Sequence, residues 1–319
     1  MPEHPKKDLA PIIRRIEAET AGPTAPQISA AARVVRAELG DAAVAVLFYG
    51  SALREGSFDG KVIDLYAVVD AYRPAYGKII PAIANAILPP NVFYLSTDGG
   101  GRTIRLKYAV ISLDQFVRQA KGGAFTPYIW GRFAQPTAIV YARDDAVRRR
   151  LIDAIASAVG TMLGKTVPLM PAEFSSADLW PRAFSESYRT ELRAEQKTKA
   201  LELYRANSER YDALVREATN LDIGFRAGGS AGQYVGTASW GSRMAARAAW
   251  GLRRPVGKVL SLLRLIKAAF TFKGGVDYIL WKIERHSGVK VTATEWQHRH
   301  PLMAAVSLFW RLYVKGGFR

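Results

Sequence analysis

Ala42–Tyr49 (AAVAVLFY), the Gly50-Ser51 pair that follows it and Val62–Val69 (VIDLYAVV) decide how this chain is read. The first stretch is a short apolar run closed by glycine, which predicts a buried strand. The second predicts another strand with a single acid, Asp64, set into it. Between them, SALREGSFDGK is turn-rich and polar toward its end. Downstream, Ala75–Leu88 (AYGKIIPAIANAIL) has helical spacing in spite of Pro81, and Val92–Leu95 and Ile104–Ser112 read as strands flanking the GGGR turn. Upstream, the chain reads as helix to about residue 40: Ile12, Ile13 and Ile16 fall on one side, Ile28–Leu39 keeps helical spacing, and Gly40 ends the run. Strands alternating with helices over 40–145 predict an α/β layer with a mixed sheet.

From Arg148 the texture changes. RRRLIDAIASAVGTML sets Leu151, Ile152, Ile155 and Val159 along one helical stripe, and Ser175-Ser176-Ala177-Asp178 resembles a helix N-cap. Phe184–Glu217 is charge-laced and free of Gly and Pro, which predicts continuous helix. Gly224–Gly241 is Gly/Ser-rich and reads as a loop or linker. The main boundary falls near 165–172. Three regions follow: 1–168, an α/β domain with N-terminal helices; 169–240, a mainly helical second domain; and 241–319, a basic amphipathic region.

The 319 residues are 49% hydrophobic and 23% charged, enough to form a core and against wholesale disorder. Lys and Arg number 45 against 28 Asp and Glu, a formal charge of +17, so an anionic partner is expected. The excess is concentrated: from Gly224 onward there are 16 Lys/Arg and three acids, interleaved with Trp and Phe. With no cysteine, disulfides and thiolate metal sites are excluded. No apolar run approaches the roughly 20 residues of a spanning helix. The first 20 residues mix acids with bases and lack a signal-peptide apolar core, so a soluble or surface-bound intracellular protein is expected.

A Gly-Ser turn leaving a buried strand lets backbone N–H groups and a hydroxyl approach phosphate oxygens. A carboxylate in the next strand is costly to bury unless it is paired or metal-bound. Together, Gly50-Ser51 and Asp64 have the arrangement of a nucleotidyltransferase, a turn for the triphosphate and an acid for Mg²⁺. The usual second acid, at i+2 on the same strand face about 6.6 Å away, is here Tyr66. Asp70 has the right parity but lies about 20 Å along the strand, and reads as a strand-end residue. A second metal ligand must come from elsewhere, and Glu191 is the acid to test. His298-x-His300, near His286, lacks an adjacent acid and reads as surface chemistry.

Further stretches follow in a fixed order: Arg105-Leu106-Lys107-Tyr108-Ala109-Val110-Ile111-Ser112, Tyr128-Ile129-Trp130-Gly131-Arg132-Phe133-Ala134-Gln135-Pro136, Ser187-Tyr188-Arg189-Thr190-Glu191-Leu192-Arg193 and Lys197-Thr198-Lys199. With the Tyr49-Gly50-Ser51 turn and Asp64, they resemble the motifs of the mitochondrial-type phosphatidate cytidylyltransferase family. Lys267-Ala268-Ala269-Phe270-Thr271-Phe272 is similar to that family's C-terminal Lys-Gly-Ile-Phe-Thr segment, so the likeness runs from about 42 to 275. Ala52 departs from it, standing where the family usually has a second Gly. The resemblance implies a nucleotidyltransferase-like domain followed by a winged-helix-like one, and an Mg²⁺-dependent reaction of CTP with phosphatidate giving CDP-diacylglycerol and pyrophosphate. It implies Asp64, Glu191 and Lys107 as catalytic residues, with Asp64 and Glu191 on the metal. Gly50, Ser51, Tyr108, Arg132 and Lys199 would bind the nucleotide, and Arg193 and Lys197 the phosphate of the lipid.

A diacylated substrate stays in a bilayer. Ser261–Phe272 (SLLRLIKAAFTF) sets Leu262, Leu263, Leu265, Ile266 and Phe270 among Arg264, Lys267 and Lys273, as an interfacial helix requires. The expected partners are CTP, phosphatidate and an anionic membrane surface, with no nucleic acid and with oligomer contacts open. A peripheral position on the cytoplasmic face is expected, at an inner membrane in bacteria as in the mitochondria of eukaryotic relatives; the Ala/Arg-rich composition suits a bacterial source. Two other readings stand beside this one: a nucleotidyltransferase acting on RNA or a small polar acceptor, and a membrane-associated scaffold with a degenerate site.

Overall fold

The computed structural model describes residues 8–22, 24–56, 62–99, 102–192, 197–271 and 294–299. The chain opens with helices α1 (Ala10–Thr20) and α2 (Pro26–Leu39), the second stopped by Gly40 at φ +56°. Strand β1 (Ala43–Tyr49) leads through Gly50 into the short helix α3 (Ser51–Glu55), and β2 (Val62–Val69) follows. Helices α4 (Tyr72–Tyr76) and α5 (Ile79–Ile87) replace the single helix expected over 75–88. Gly77, at φ +61°, breaks the run, and Pro81 falls in the first turn of α5, where its missing N–H is harmless. Strands β3 (Asn91–Gly99) and β4 (Arg102–Ser112) form the expected hairpin. Helices α6 (Leu113–Arg118) and α7 (Trp130–Phe133), strand β5 (Thr137–Ala142) and the long helix α8 (Asp145–Thr166) complete the α/β part.

The sheet runs β3-β4-β2-β1-β5 and is mixed: β2 and β4 are parallel and every other pair is antiparallel. Alternation along the central strands feeds two cores. Ile63, Leu65 and Ala67 face one side with α2, while Tyr66 and Val68 face the other with α1, α7 and α8. That second core continues into the rest of the chain, through Trp180, Phe184 and Tyr211 to Trp250.

Beyond α8 come β6 (Glu173–Ser175), α9 (Ser176–Tyr188), α10 (Lys197–Arg205), α11 (Ser208–Ala218), β7 (Phe225–Ala227), β8 (Gln233–Gly236) and α12 (Trp240–Thr271). The N-cap at Ser175 forms a full capping box with Asp178. Two expectations are corrected here. The helical run over 184–217 is cut at Arg189–Leu192, where Arg189 and Thr190 turn back on Ser185 and Ser187, and again before Ser208. The Gly/Ser-rich stretch from 224 is not a linker. It holds β7 and β8, which with β6 make a small sheet in the order β6-β8-β7, pinned by contacts among Phe174, Phe225 and Tyr234. One aromatic on each strand suffices to anchor strands this short, and composition alone hides them.

Helix α12 docks against the preceding elements along one side. Trp250 is buried, edge-on to Trp130, and its indole N–H donates to the Lys165 carbonyl at 2.9 Å. Trp250 is therefore a core residue. No helix among the described residues is long and apolar enough to cross a membrane.

Candidate active site

Register brings the sequence-selected residues together. Tyr49 pairs with Asp64 across β1–β2, and Asp64 pairs with Lys107 across β2–β4. All three lie on the sheet face that carries Tyr66, because side chains two apart point the same way. Lys107 Nζ meets Asp64 Oδ1 at 2.9 Å, and both side chains are partly open to solvent. The other carboxylate oxygen turns to the Gly50 bend: a Cβ on Gly50 would sit 3.1 Å from Asp64 Oδ2. Gly50 is needed there twice over, for its φ of +94° and for that close approach. The methyl of Ala52 is buried in the core on the α2 side and does not crowd the cleft.

Two residues along β2 and on the same face, Tyr66 occupies the place of the missing second acid. Burial pushes its phenol well above the ordinary tyrosine value, so it stays neutral, and it accepts a hydrogen bond from Arg132 Nη1 at 3.0 Å. Tyr49 and Phe133 pack on it at 5.2 and 5.0 Å between ring centroids. Arg132 also faces Glu191 Oε1 at 3.7 Å and lies over the Tyr128 ring at 4.3 Å. Arg264 of α12 covers Tyr128 at 4.0 Å, so the ring is approached by two guanidinium groups. Burial alone would raise the Tyr128 phenol, but Arg132 and Arg264 outweigh it and hold it below the ordinary value.

The turn that presents Glu191 is held from three sides. A Cβ on Gly131 would meet Ser187 Oγ at 2.5 Å, and one on Gly257 of α12 would meet the Thr190 carbonyl oxygen at 2.5 Å. Glu186, 1% exposed, binds Arg254 of α12 at 2.8 Å, Arg182 at 3.1 Å and Arg189 at 3.4 Å. Two glycines and one buried carboxylate thus clamp 186–191 between α7 and α12. Gln135 adds a link, accepting from Arg54 Nη1 at 3.4 Å and so joining α3 to the end of α7. The far end of α12 is tied to the corner after α5: Arg264 Nε donates to the Pro89 carbonyl at 2.9 Å, and Lys267 Nζ to those of Leu88 and Pro90. Burial, with Arg264 nearby, lowers Lys267 to about 8.

Of the residues expected at the site, Gly50, Asp64 and Lys107 converge at the bend, with Ser51 the first residue of α3 beside it, and Arg132 and Glu191 form an adjoining cluster joined to them through Tyr66. Tyr108 does not converge. Next to Lys107 on β4, it points to the opposite face, stacked on Phe93 at 5.2 Å in the α2-side core. Lys199, on α10, is held by Glu202 at 2.9 Å, outside the contacts that join the two clusters. Arg193 and the side chain of Lys197 lie outside the described residues, as do His286, His300 and the side chain of His298. Tyr66, Tyr128, Glu186 and Arg264 were not singled out as site residues. Arg264 and Lys267, three apart within an apolar run, carried the one visible signal.

No family model and no curated protein matches this chain. Among solved structures it is similar to a nucleotidyltransferase-like protein from Exiguobacterium sibiricum 255-15, at 10% identity and a TM-score of 0.26 over 91% of this chain and 92% of that one.

Proposed function

We propose that this protein transfers CMP from CTP to phosphatidate, giving CDP-diacylglycerol and pyrophosphate. The observation that carries the reading is the Asp64 carboxylate, set with one oxygen against the Gly50-Ser51 bend and the other on Lys107. One carboxylate beside a phosphate-binding turn fits an ion that arrives with a triphosphate, since Mg²⁺ is commonly held by one or two carboxylates plus substrate phosphates. Among the described residues no group of three His, Asp or Glu side chains gathers to hold a resident ion. Asp64 would hold the Mg²⁺, which supplies charge neutralisation at the leaving pyrophosphate.

The chain's own groups have defined parts in this reading. The Gly50-Ser51 amides and the Ser51 hydroxyl receive the outer phosphates, and Lys107 stands beside the α-phosphate. Arg132, oriented by Tyr66 and Glu191, offers a planar fork to the second phosphate, that of the lipid. An anionic oxygen of phosphatidate attacks the α-phosphorus of CTP, and the bond from that phosphorus to the pyrophosphate oxygen breaks. The attacking oxygen is already deprotonated near neutral pH, so no general base is required and catalysis rests on alignment and charge. The basic, apolar α12 supports work at an anionic membrane surface.

The test is incubation with CTP labelled in its α-phosphate, Mg²⁺ and phosphatidate vesicles. Label appearing in the lipid phase, with one pyrophosphate released per product, is the expected result. Label in RNA or in a water-soluble acceptor, with none in lipid, would overturn the lipid reading.

A further inference from the structure

Two helices of this protein are inside out. On α5 the buried residues are Ala82 and Asn85, and Asn85 spends its amide on the Val110 carbonyl, the Tyr76 hydroxyl and the Asn91 N–H. Its isoleucines face away: Ile79, Ile80, Ile83 and Ile87 are exposed, Ile80 by 77% and Ile87 by 78%. On α12 the docked side carries Arg253, Arg254, Arg264 and Lys267, bound to carbonyls and to Glu186. The outward side carries Leu252, Val259, Leu262, Leu263 and Ile266, all exposed. A helix packed on a water-soluble surface has the reverse polarity, and contiguous exposed apolar faces mark interaction sites. The two faces meet where Lys267 holds the Leu88 carbonyl, one residue past Ile87.

We infer that α5 and the outer side of α12 form one face that enters the headgroup region of an anionic bilayer. The choice of a bilayer rests in part on the lipid reading above, and in part on charge. α12 carries seven Lys/Arg and no acid, α5 carries no charge at all, and Lys78, Lys258, Arg73 and Arg247 are exposed around them. Two copies joined through this face would bring those like charges together, whereas an anionic leaflet neutralises them. The geometry also gives the face a purpose. The opposite side of α12 holds Arg264 over Tyr128 beside Arg132, so membrane and proposed phosphate site are separated by one helix diameter, about 10 Å. The isoleucines of α5 place part of the membrane contact on the α/β domain itself, well ahead of the basic C-terminal region.

Flotation of the full chain with phosphatidylcholine vesicles, with and without phosphatidylglycerol, tests this with no CTP or phosphatidate present. The protein should float with the anionic vesicles, and Ile80→Gln/Ile83→Gln/Ile87→Gln should weaken partitioning about tenfold or more while leaving the melting temperature unchanged. Equal flotation of the variant would overturn the inference. Because the chain has no cysteine, Ile83→Cys takes a single environment-sensitive dye. Its emission should shift to the blue only when anionic vesicles are added; a blue-shifted emission beforehand would mean that protein, this chain or a second copy, already covers the face, and would overturn it too. The two readings fail separately. A protein that floats but makes no CDP-diacylglycerol leaves this face standing and removes the reaction, whereas one that is active on short-chain, water-soluble phosphatidate but never floats removes the face alone.

Discussion

Gly257→Ala and Gly251→Ala, six residues apart on α12, should change stability in opposite directions. In a helix interior, alanine is favoured over glycine by about 1 kcal/mol, so with no other effect both replacements stabilise. Around Gly251 nothing lies within 4 Å of where the new methyl would stand, and the full gain should appear. At Gly257 the methyl would stand 2.5 Å from the Thr190 carbonyl oxygen and 2.6 Å from its Cβ. These are backbone and near-backbone atoms of a clamped turn and cannot swing aside as the end of a long side chain would. Overpacking costs about 1–3 kcal/mol, and contacts this short belong in the upper half of that range, so the net change is a loss of about 1–2 kcal/mol. Chemical denaturation of the two variants beside the parent reads this as midpoints moving up for Gly251→Ala and down for Gly257→Ala at equal slope. If both midpoints rise together, α12 is not packed on the 187–191 turn, and the proposed positioning of Glu191 and Arg132 loses its support.

Glu186→Gln leaves three arginines around a neutral amide. Since those partners are 31–47% exposed, the loss should be about 2 kcal/mol rather than the larger cost of a fully buried pair, again read by denaturation, and a change near zero would mean the cluster is only decorative. Arg132→Lys keeps the charge but not the fork that meets Tyr66 and Glu191, so CMP transfer should fall on the order of a hundredfold with the melting temperature little changed; undiminished turnover would remove Arg132 from the site. Lys267 has its folded value lowered to about 8 from 10.5, so above pH 8 the unfolded chain binds the extra proton and this residue's contribution to stability grows as pH rises toward 10.5. The stability difference between parent and Lys267→Met should therefore move in the parent's favour from pH 7 to pH 10, and a difference flat with pH would contradict the burial of that ammonium.

Much of the site was legible because strand pairing converts sequence into neighbours. Once AAVAVLFY and VIDLYAVV are adjacent strands joined through Gly50, Asp64 has to lie near the bend, and Lys107 in the parallel strand reaches it. The same period of two also determines where Tyr108 goes: a residue next to Lys107 on a strand cannot share its face. What the local pattern does not carry is the long-range part. Glu186 and Arg254 are 68 residues apart, and Arg264 and Pro89 are 175 apart, so nothing in either neighbourhood announces the pair. α12 shows the limit plainly. Its amphipathic spacing was visible, but spacing fixes only that two faces differ; which one meets the protein was decided by carbonyls and a carboxylate elsewhere in the fold. The break at Arg189–Leu192 was hidden for a related reason, since no Gly or Pro of its own marks it and the turn is held by close packing of Ser187 on Gly131 and of Thr190 on Gly257.

The central claim is that the carboxylate of Asp64, at the Gly50-Ser51 bend, governs transfer of a nucleotidyl group. Its most direct test is the rate of CDP-diacylglycerol formation from CTP, Mg²⁺ and phosphatidate by the parent protein and by Asp64→Asn, with the melting temperature of both recorded. The account predicts product from the parent and a loss of at least about a hundredfold in the variant with the fold intact. No product from the parent, or undiminished product from the variant, would contradict it.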